Sequence, residues 1–303
     1  MRILLVTPLF FPSLSGAAVY FDTLARGLRG QEPAAEITIL TRRLRGAPAG
    51  ERRDGARVLR LLPDSRLAAP AVLAAAAALR SDVVHYHTIV SYRGLHRLAP
   101  LFRAPLVGDM RDLAARNEGA DLRHYLHCSR VICASENIVR FLSARGFPAA
   151  KLAHVPIPFE PPVPPPPALV AAARARYGIP GHRPYALFVG VIIPYKGVRE
   201  LLAAMERVWR ERPELGLVLA GPLTREGDAA FPGGFRAAVA GDPRLHYLGP
   251  VPHAEIPLLL AGAELFILPS RTEGLPRSCL EAIALGRKVV LPPGIPEFDA
   301  AGP

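Results

Sequence analysis

Two glutamates, Glu273 and Glu281, lie in the stretch PSRTEGLPRSCLEAIALGRKVVLP, separated by seven residues that begin Gly-Leu-Pro. The run before them, ELFILPS, reads as a strand that would deliver the chain to the carboxyl edge of a sheet, where open α/β folds bind ligands. Gly274 permits a tight backbone, and Pro276 suits the first turn of a helix because its missing N–H would be an orphan there. Such a helix N-terminus offers free N–H groups and a partial positive charge, a seat for a phosphate. Glu273 lies just before that seat. Glu281, between one and two turns into the helix, could accept hydrogen bonds from a ribose diol. The plainer reading makes Glu273 a loop carboxylate and Glu281 a solvated helix residue. Lys196, in LFVGVIIPYKG, follows another strand, and its ammonium could neutralise a diphosphate at the same edge; taken alone, it reads more readily as a structural lysine.

Other groupings carry less chemistry. HYH places His85 and His87 on one face of a strand in the manner of a metal pair, yet no third ligand follows at metal-site spacing. His124, His127, Cys128 and Cys133 are close in sequence, without a second cluster to complete a tetrahedral set. Cys133 lies in an apolar strand, where a buried thiol is ordinary. No metal is expected.

The elements that must position these residues follow from the apolar pattern. RILLVTP, EITILTR, ARVLRLLP, DVVHYHT, APLVGD and RVICAS read as strands in the first half. YALFVGV, LGLVLAGP, RLHYLGPV, ELFILPS and KVVLPP read as strands in the second. AAVYFDTLARGLRG, VRELLAAMERVWRER, AEIPLLLAGA and RSCLEAIALG have helical spacing, the last ended by Gly286. Near-continuous apolar strands alternating with helices indicate parallel sheets covered on both faces. PFEPPVPPPPAL breaks the rhythm, and a proline run of this kind is a semi-rigid spacer. The organisation expected is a first domain over 1–160, a proline-rich linker over 161–182 and a second domain over 183–303. These would be two doubly wound, Rossmann-like halves with a ligand site in the cleft they face.

Half of the 303 residues are hydrophobic and the formal charge is +11. Lysine occurs only at Lys151, Lys196 and Lys288, so the basic residues are nearly all arginine. The excess is uneven: 22 basic and 13 acidic residues precede Pro161, against 15 and 13 from there on. A basic first half suits a phosphate-rich substrate or an anionic membrane surface. Nucleic acid is disfavoured, because no recognition helix or interleaved aromatic pattern accompanies the charge. The arginines of RRLRG and ERRDGAR read most simply as a solvated face. Three cysteines cannot close a disulfide framework, which suits a reducing cytoplasm. MRILLVTPLFFP reads as a first strand rather than a signal peptide, and LAAPAVLAAAAAL is too short to span a membrane.

Taken in order, LFVGVIIPYKG, LVLAGP, YLGPVP and LFILPSRTEGLPRSCLEAIALGRKVVLPPGIPEF resemble the donor-domain motifs of the retaining GT-B glycosyltransferases of family 4, the group 1 glycosyl transferases. MRILLVTPLFFPSLSGAAVYFDTLARGL and VICASENIVRFLSARGFPAAKLAHVPIPFE resemble the start and end of that family's first domain, so the resemblance covers nearly the whole chain. It implies sugar transfer from a nucleotide-diphospho donor to a glycan, lipid-linked or small-molecule acceptor, with retained anomeric configuration and with no cofactor beyond the nucleotide sugar. By the same resemblance, Lys196 would contact the diphosphate and Glu273 would lie beside the donor sugar. Gly274, Leu275 and Pro276 would face sugar and phosphate, and Glu281 would bind the ribose. Gly16 would approach the phosphates, Val251 would pass near the base, and His87 would end a strand in the cleft.

Four departures stand out. Val191 occupies the place of an arginine that usually joins the lysine on the diphosphate. Arg111, in GDMRDL, replaces a usual histidine; it either supplies the missing charge or pairs with Asp109 or Asp112. VPIPFE replaces an Asn-Gly pair. The chain also stops after PPGIPEFDAAGP, where the family continues, so the second domain is expected to be incomplete. A non-catalytic nucleotide-sugar-binding protein, or a fragment completed by a partner, is the rival reading. A surface binder driven by charge alone is a third.

Overall fold

The computed structural model describes residues 1–13, 16–63, 67–87, 95–111, 113, 122–225, 228–271 and 273–299. The chain divides into two units, one of Met1–Pro158 together with Ile295 onward, the other of Phe159–Gly294.

In the first unit, eight strands form one sheet: β1 (Arg2–Val6), β2 (Glu36–Arg42), β3 (Gly50–Arg53), β4 (Ala56–Leu62), β5 (Val83–His87), β6 (Leu106–Met110), β7 (Arg130–Cys133) and β8 (Leu152–His154). Their order is β3-β4-β2-β1-β5-β6-β7-β8. All pairings are parallel except β3 with β4. The chain winds outward from β1 through β2 and β4, then restarts at β5 on the other side, so the order reverses between β1 and β5. The period-two geometry of strands sends Leu4, Val6, Val84 and Tyr86 into the core of one face and Ile3, Leu5, Ile37 and Ile39 into that of the other. Helix α1 (Gly16–Gln31) buries Ala18, Phe21 and Ala25, a stripe at helical spacing. Helix α2 (Ala68–Ala78) follows β4.

Two strands had no apolar signal. β3 is Gly-Glu-Arg-Arg and forms because Asp54 and Gly55 both take positive φ (46° and 81°), the turn that folds a two-residue hairpin back on β4. β8 has only three residues. Helix α3 (Glu136–Ser143) is capped by Ser135, whose side-chain oxygen accepts the Ile138 N–H. The turn Pro296–Asp299 belongs to this unit too, and Glu297 Oε1 accepts the Glu136 N–H at 2.8 Å, satisfying another orphan donor of that helix.

The second unit contains β9 (Tyr185–Val189), β10 (Gly216–Ala220), β11 (Leu245–Gly249), β12 (Leu265–Ile267) and β13 (Lys288–Val290), all parallel, in the order β11-β10-β9-β12-β13. Within the stretch expected as linker, 161–166 carries no regular secondary structure and Pro167 opens helix α4 (Pro167–Arg176). A proline at the first helical position gives up no intrahelical hydrogen bond. Arg174 ties α4 down by donating to the Arg183 carbonyl (2.6 Å) and to that of Pro180. Helices α5 (Val198–Glu211), α6 (Phe231–Gly241), α7 (Ile256–Gly262) and α8 (Arg277–Ala284) connect the strands. Helix α6, with its sequence Phe-Pro-Gly-Gly, had no helical signal.

Candidate functional site

The second sheet runs from β9 outward to β10 and β11, then crosses back to place β12 on the other side of β9. Adjacent parallel strands whose onward connections diverge open a crevice at their carboxyl ends. The loops after β9 and β12 lie side by side there. Gly197 takes φ 71°, and a Cβ at that position would stand 2.0 Å from the Pro269 carbonyl oxygen. The Arg271 N–H donates to the Tyr195 carbonyl (3.2 Å). This close approach sets Lys196 Nζ 2.7 Å from Glu273 Oε1, with the two side chains only 20% and 8% exposed. Glu273 is therefore a buried, paired carboxylate rather than a free loop residue.

Helix α8 starts at Arg277, so Pro276 sits at the cap, one residue ahead of the first turn, and its carbonyl accepts the Cys279 N–H (3.1 Å). Gly274 and Pro276 are buried and Leu275 half-buried. Glu281 is only 4% exposed, which rules out the solvated reading. Its Oε1 accepts from Arg277 Nε (3.1 Å) and from His253 Nε2 (3.0 Å). The i,i+4 spacing of Arg277 and Glu281 was a usable signal for that ion pair. No pattern in the chain pointed to His253, 28 residues away, which stands at the head of α7. Val251, two residues before it, is buried. Burial, reinforced by the carboxylate of Glu273, holds the Cys279 thiol well above its ordinary range. Val191 is half-buried just beyond β9.

In the first unit, His87 ends β5 directly opposite Asp109 on β6, and Gly16 begins α1 in the segment after β1. Both therefore flank the place where that sheet reverses its order. A Cβ on Gly16 would meet no protein atom within 4 Å. His85 and His87 share a face, with ring centroids 5.8 and 6.1 Å from that of Phe21. His85 Nε2 donates to Asp109 Oδ2 at 3.0 Å, committing that nitrogen to a carboxylate. Among the described residues, no group of three His, Cys, Asp or Glu is arranged to hold a metal ion. Arg111 Nε is 3.7 Å from Asp109 Oδ1, and its guanidinium lies 3.7 Å from the centroid of the Tyr20 ring. Of the two partners expected for Arg111, Asp109 is the one observed, and Asp112 lies outside the described residues. Burial pushes the Asp109 carboxyl up, but the His85 hydrogen bond and the Arg111 charge outweigh it and hold the group below its usual range. The His124 and Cys128 grouping is a buried network around Tyr86, whose hydroxyl is 2.7 Å from His124 Nδ1 and 3.1 Å from Cys128 Sγ.

Known proteins share both units. The family pattern described as "Glycosyl transferase 4-like domain" matches residues 15–158, and that described as "Glycosyl transferases group 1" matches residues 170–296. The chain belongs to the GT-B glycosyltransferases of family 4. O-antigen chain mannosyltransferase B of Escherichia coli is 36% identical over 107 residues, which is 35% of this chain and 28% of that protein. The D-inositol 3-phosphate glycosyltransferase of Corynebacterium efficiens is 29% identical over 124 residues, 39% and 28% of the two chains. The matched part thus spans little more than a quarter of these curated relatives. Among solved structures of the fold, Anabaena HepE in complex with UDP and glucose superposes with a TM-score of 0.76 at 17% identity, over 99% of this chain and 82% of that one. WaaG, a glycosyltransferase involved in lipopolysaccharide biosynthesis, gives 0.72 at 14% identity, over 99% and 84%. None of the family member's described helices is long and apolar enough to cross a membrane.

Proposed function

We propose that this chain is a retaining glycosyltransferase that moves a sugar from a nucleotide-diphospho donor to a glycan, lipid-linked or small-molecule acceptor. The observation that carries the reading is the convergence, in one unit, of the Lys196–Glu273 pair and the α8 helix bearing the buried Glu281. An ammonium has three N–H donors, so Lys196 can keep its bond to Glu273 and still meet a diphosphate oxygen. As the bond between the anomeric carbon and the diphosphate breaks, charge grows on the departing phosphate. Lys196 and the N–H groups at the start of α8 would stabilise that charge without a metal. Glu273 would lie beside the donor sugar, with Gly274, Leu275 and Pro276 lining the path from sugar to phosphate. Glu281 would accept from the ribose hydroxyls and Val251 would border the base. Gly16, His87 and Arg111 would serve from the first unit, Arg111 with its charge fixed by Asp109. Related HepE structures contain UDP or UDP-glucose, which supports a nucleotide-sugar donor. The protein would work in the cytoplasm, and the basic first unit would bring it to an anionic membrane surface carrying a lipid-linked acceptor.

Val191 favours a second reading. Loss of one guanidinium removes a bidentate phosphate contact, and a protein that binds nucleotide sugars without transferring them needs less charge stabilisation. Calorimetric titration with UDP, GDP and their sugars, followed by assay of nucleotide release with and without acceptor, separates the two. Binding that is lost in both K196A and E281A supports a donor site, and nucleotide release then supports the transferase alone. A folded protein that binds none of these ligands overturns both readings.

A further inference from the structure

Glu281 is held through one of its two oxygens. Its two hydrogen bonds among the described residues, from His253 Nε2 and Arg277 Nε, both land on Oε1. Arg277 is one helical turn away and nearly buried (16% exposed), so this pair forms from local geometry alone. His253 reaches α8 from the loop that follows β11, and its side chain is 41% exposed. A guanidinium can grip both oxygens of a carboxylate in a parallel fork. If Arg277 did so, Oε2 would be consumed. The observed arrangement instead engages Arg277 through Nε on one oxygen, with His253 filling the second donor position on that same oxygen.

Resting on the reading of Glu281 as the ribose carboxylate, we infer that His253 is a positioning residue for nucleoside recognition: it pins Oε1 so that Oε2 faces the ribose diol. Its place in the fold fits this role, since Val251, two residues earlier on the same loop, is the position expected beside the base. His253 therefore links the base-binding and ribose-binding elements of one nucleoside. Because a carboxylate only accepts, the His253 tautomer that serves carries its proton on Nε2. The residue touches no reacting atom and acts through Glu281.

The test compares ribose with a sugar that cannot use the carboxylate. Dissociation constants are measured calorimetrically for whichever of UDP, GDP and ADP the wild type binds, and for its 2′,3′-dideoxy form. Wild type, H253A, H253Q and E281A are compared, with melting curves confirming that each is folded. H253A is expected to bind the ribonucleotide about tenfold more weakly, the worth of one well-placed hydrogen bond to a charged group, and the dideoxy form less than twofold more weakly. H253Q, which returns an N–H donor, should recover most of the loss. Equal losses for both nucleotides, or no loss in H253A, would overturn the inference while leaving the donor site standing. Wild-type affinity in E281A for both forms would instead remove Glu281 from the ribose. A wild type that binds no nucleoside diphosphate would end the functional reading itself.

Discussion

Asp109 shows how much one buried carboxylate can organise. It accepts from His85 and faces Arg111, whose guanidinium is in turn stacked on Tyr20. Removing one member of such a group leaves an uncompensated buried charge and costs about 3–5 kcal/mol, so D109N should be markedly less stable than the wild type at neutral pH. The pH dependence has a definite sign. The folded carboxyl is depressed below its ordinary range, so its contribution is fully present above the unfolded value of about 4 and is lost as pH falls through the folded value. Urea unfolding from pH 7 down to pH 2 should therefore show the gap between wild type and D109N closing only below about pH 4. A gap that is constant with pH would mean that Asp109 is not ionised in the fold. The sequence made Arg111 visible as a departure from the family pattern and put Asp109 among its two candidate partners, but the bond of Asp109 to His85 was not legible, because those two meet across neighbouring strands rather than along one. The same limit hid His253. Contacts local in sequence, such as Arg277 with Glu281, leave a spacing to read; contacts made by topology do not.

At the scale of elements, apolar strands were the most legible feature, because a strand buried on both faces must be apolar throughout. The elements that escaped are those whose reason lies elsewhere. β3 is charged and exists through its Asp54-Gly55 turn, a signal present in the sequence but set between polar residues. Helix α4 stands where prolines suggested only a spacer, since the last proline of the run can start a helix as well as prevent one. The loops after β9 and β12 meet most tightly where backbone lies against backbone. At Gly197, positive φ and a carbonyl 2.0 Å from any added Cβ both exclude a side chain. G197A must therefore push the β9 loop away from the β12 loop. We expect a stability loss of about 2–4 kcal/mol by urea denaturation together with loss of nucleotide affinity at the proposed donor site. A variant that melts near the wild type and binds nucleotide with wild-type affinity would show that the two loops do not depend on that contact.

Across the whole molecule, charge is the property that neither unit's core explains. The basic excess falls in the first half, and part of it lies on the hairpin at the sheet edge. Arg52 and Arg57 are exposed there, directly opposite each other across the β3–β4 pair, and Arg43 and Arg45 are exposed in the segment that leads from β2 to β3. Like charges facing across a ladder are destabilising. One reason to keep them is protection, since charged edge strands resist pairing with other chains. The proposed membrane contact gives another, as each arginine near an anionic surface contributes about 1 kcal/mol. Sedimentation with vesicles distinguishes the two. Binding to vesicles with about 30% anionic lipid should be strong at low salt and should fade as the screening length shrinks from about 10 Å at 0.1 M to about 3 Å at 1 M. Neutral vesicles should not bind. Replacing the four arginines with glutamine should weaken binding by roughly a thousandfold, four contacts of that size, while leaving nucleotide affinity in the other unit untouched. Binding that survives both salt and the fourfold substitution would have to come from apolar insertion, and absence of binding at low salt would leave these arginines as guards of the sheet edge alone.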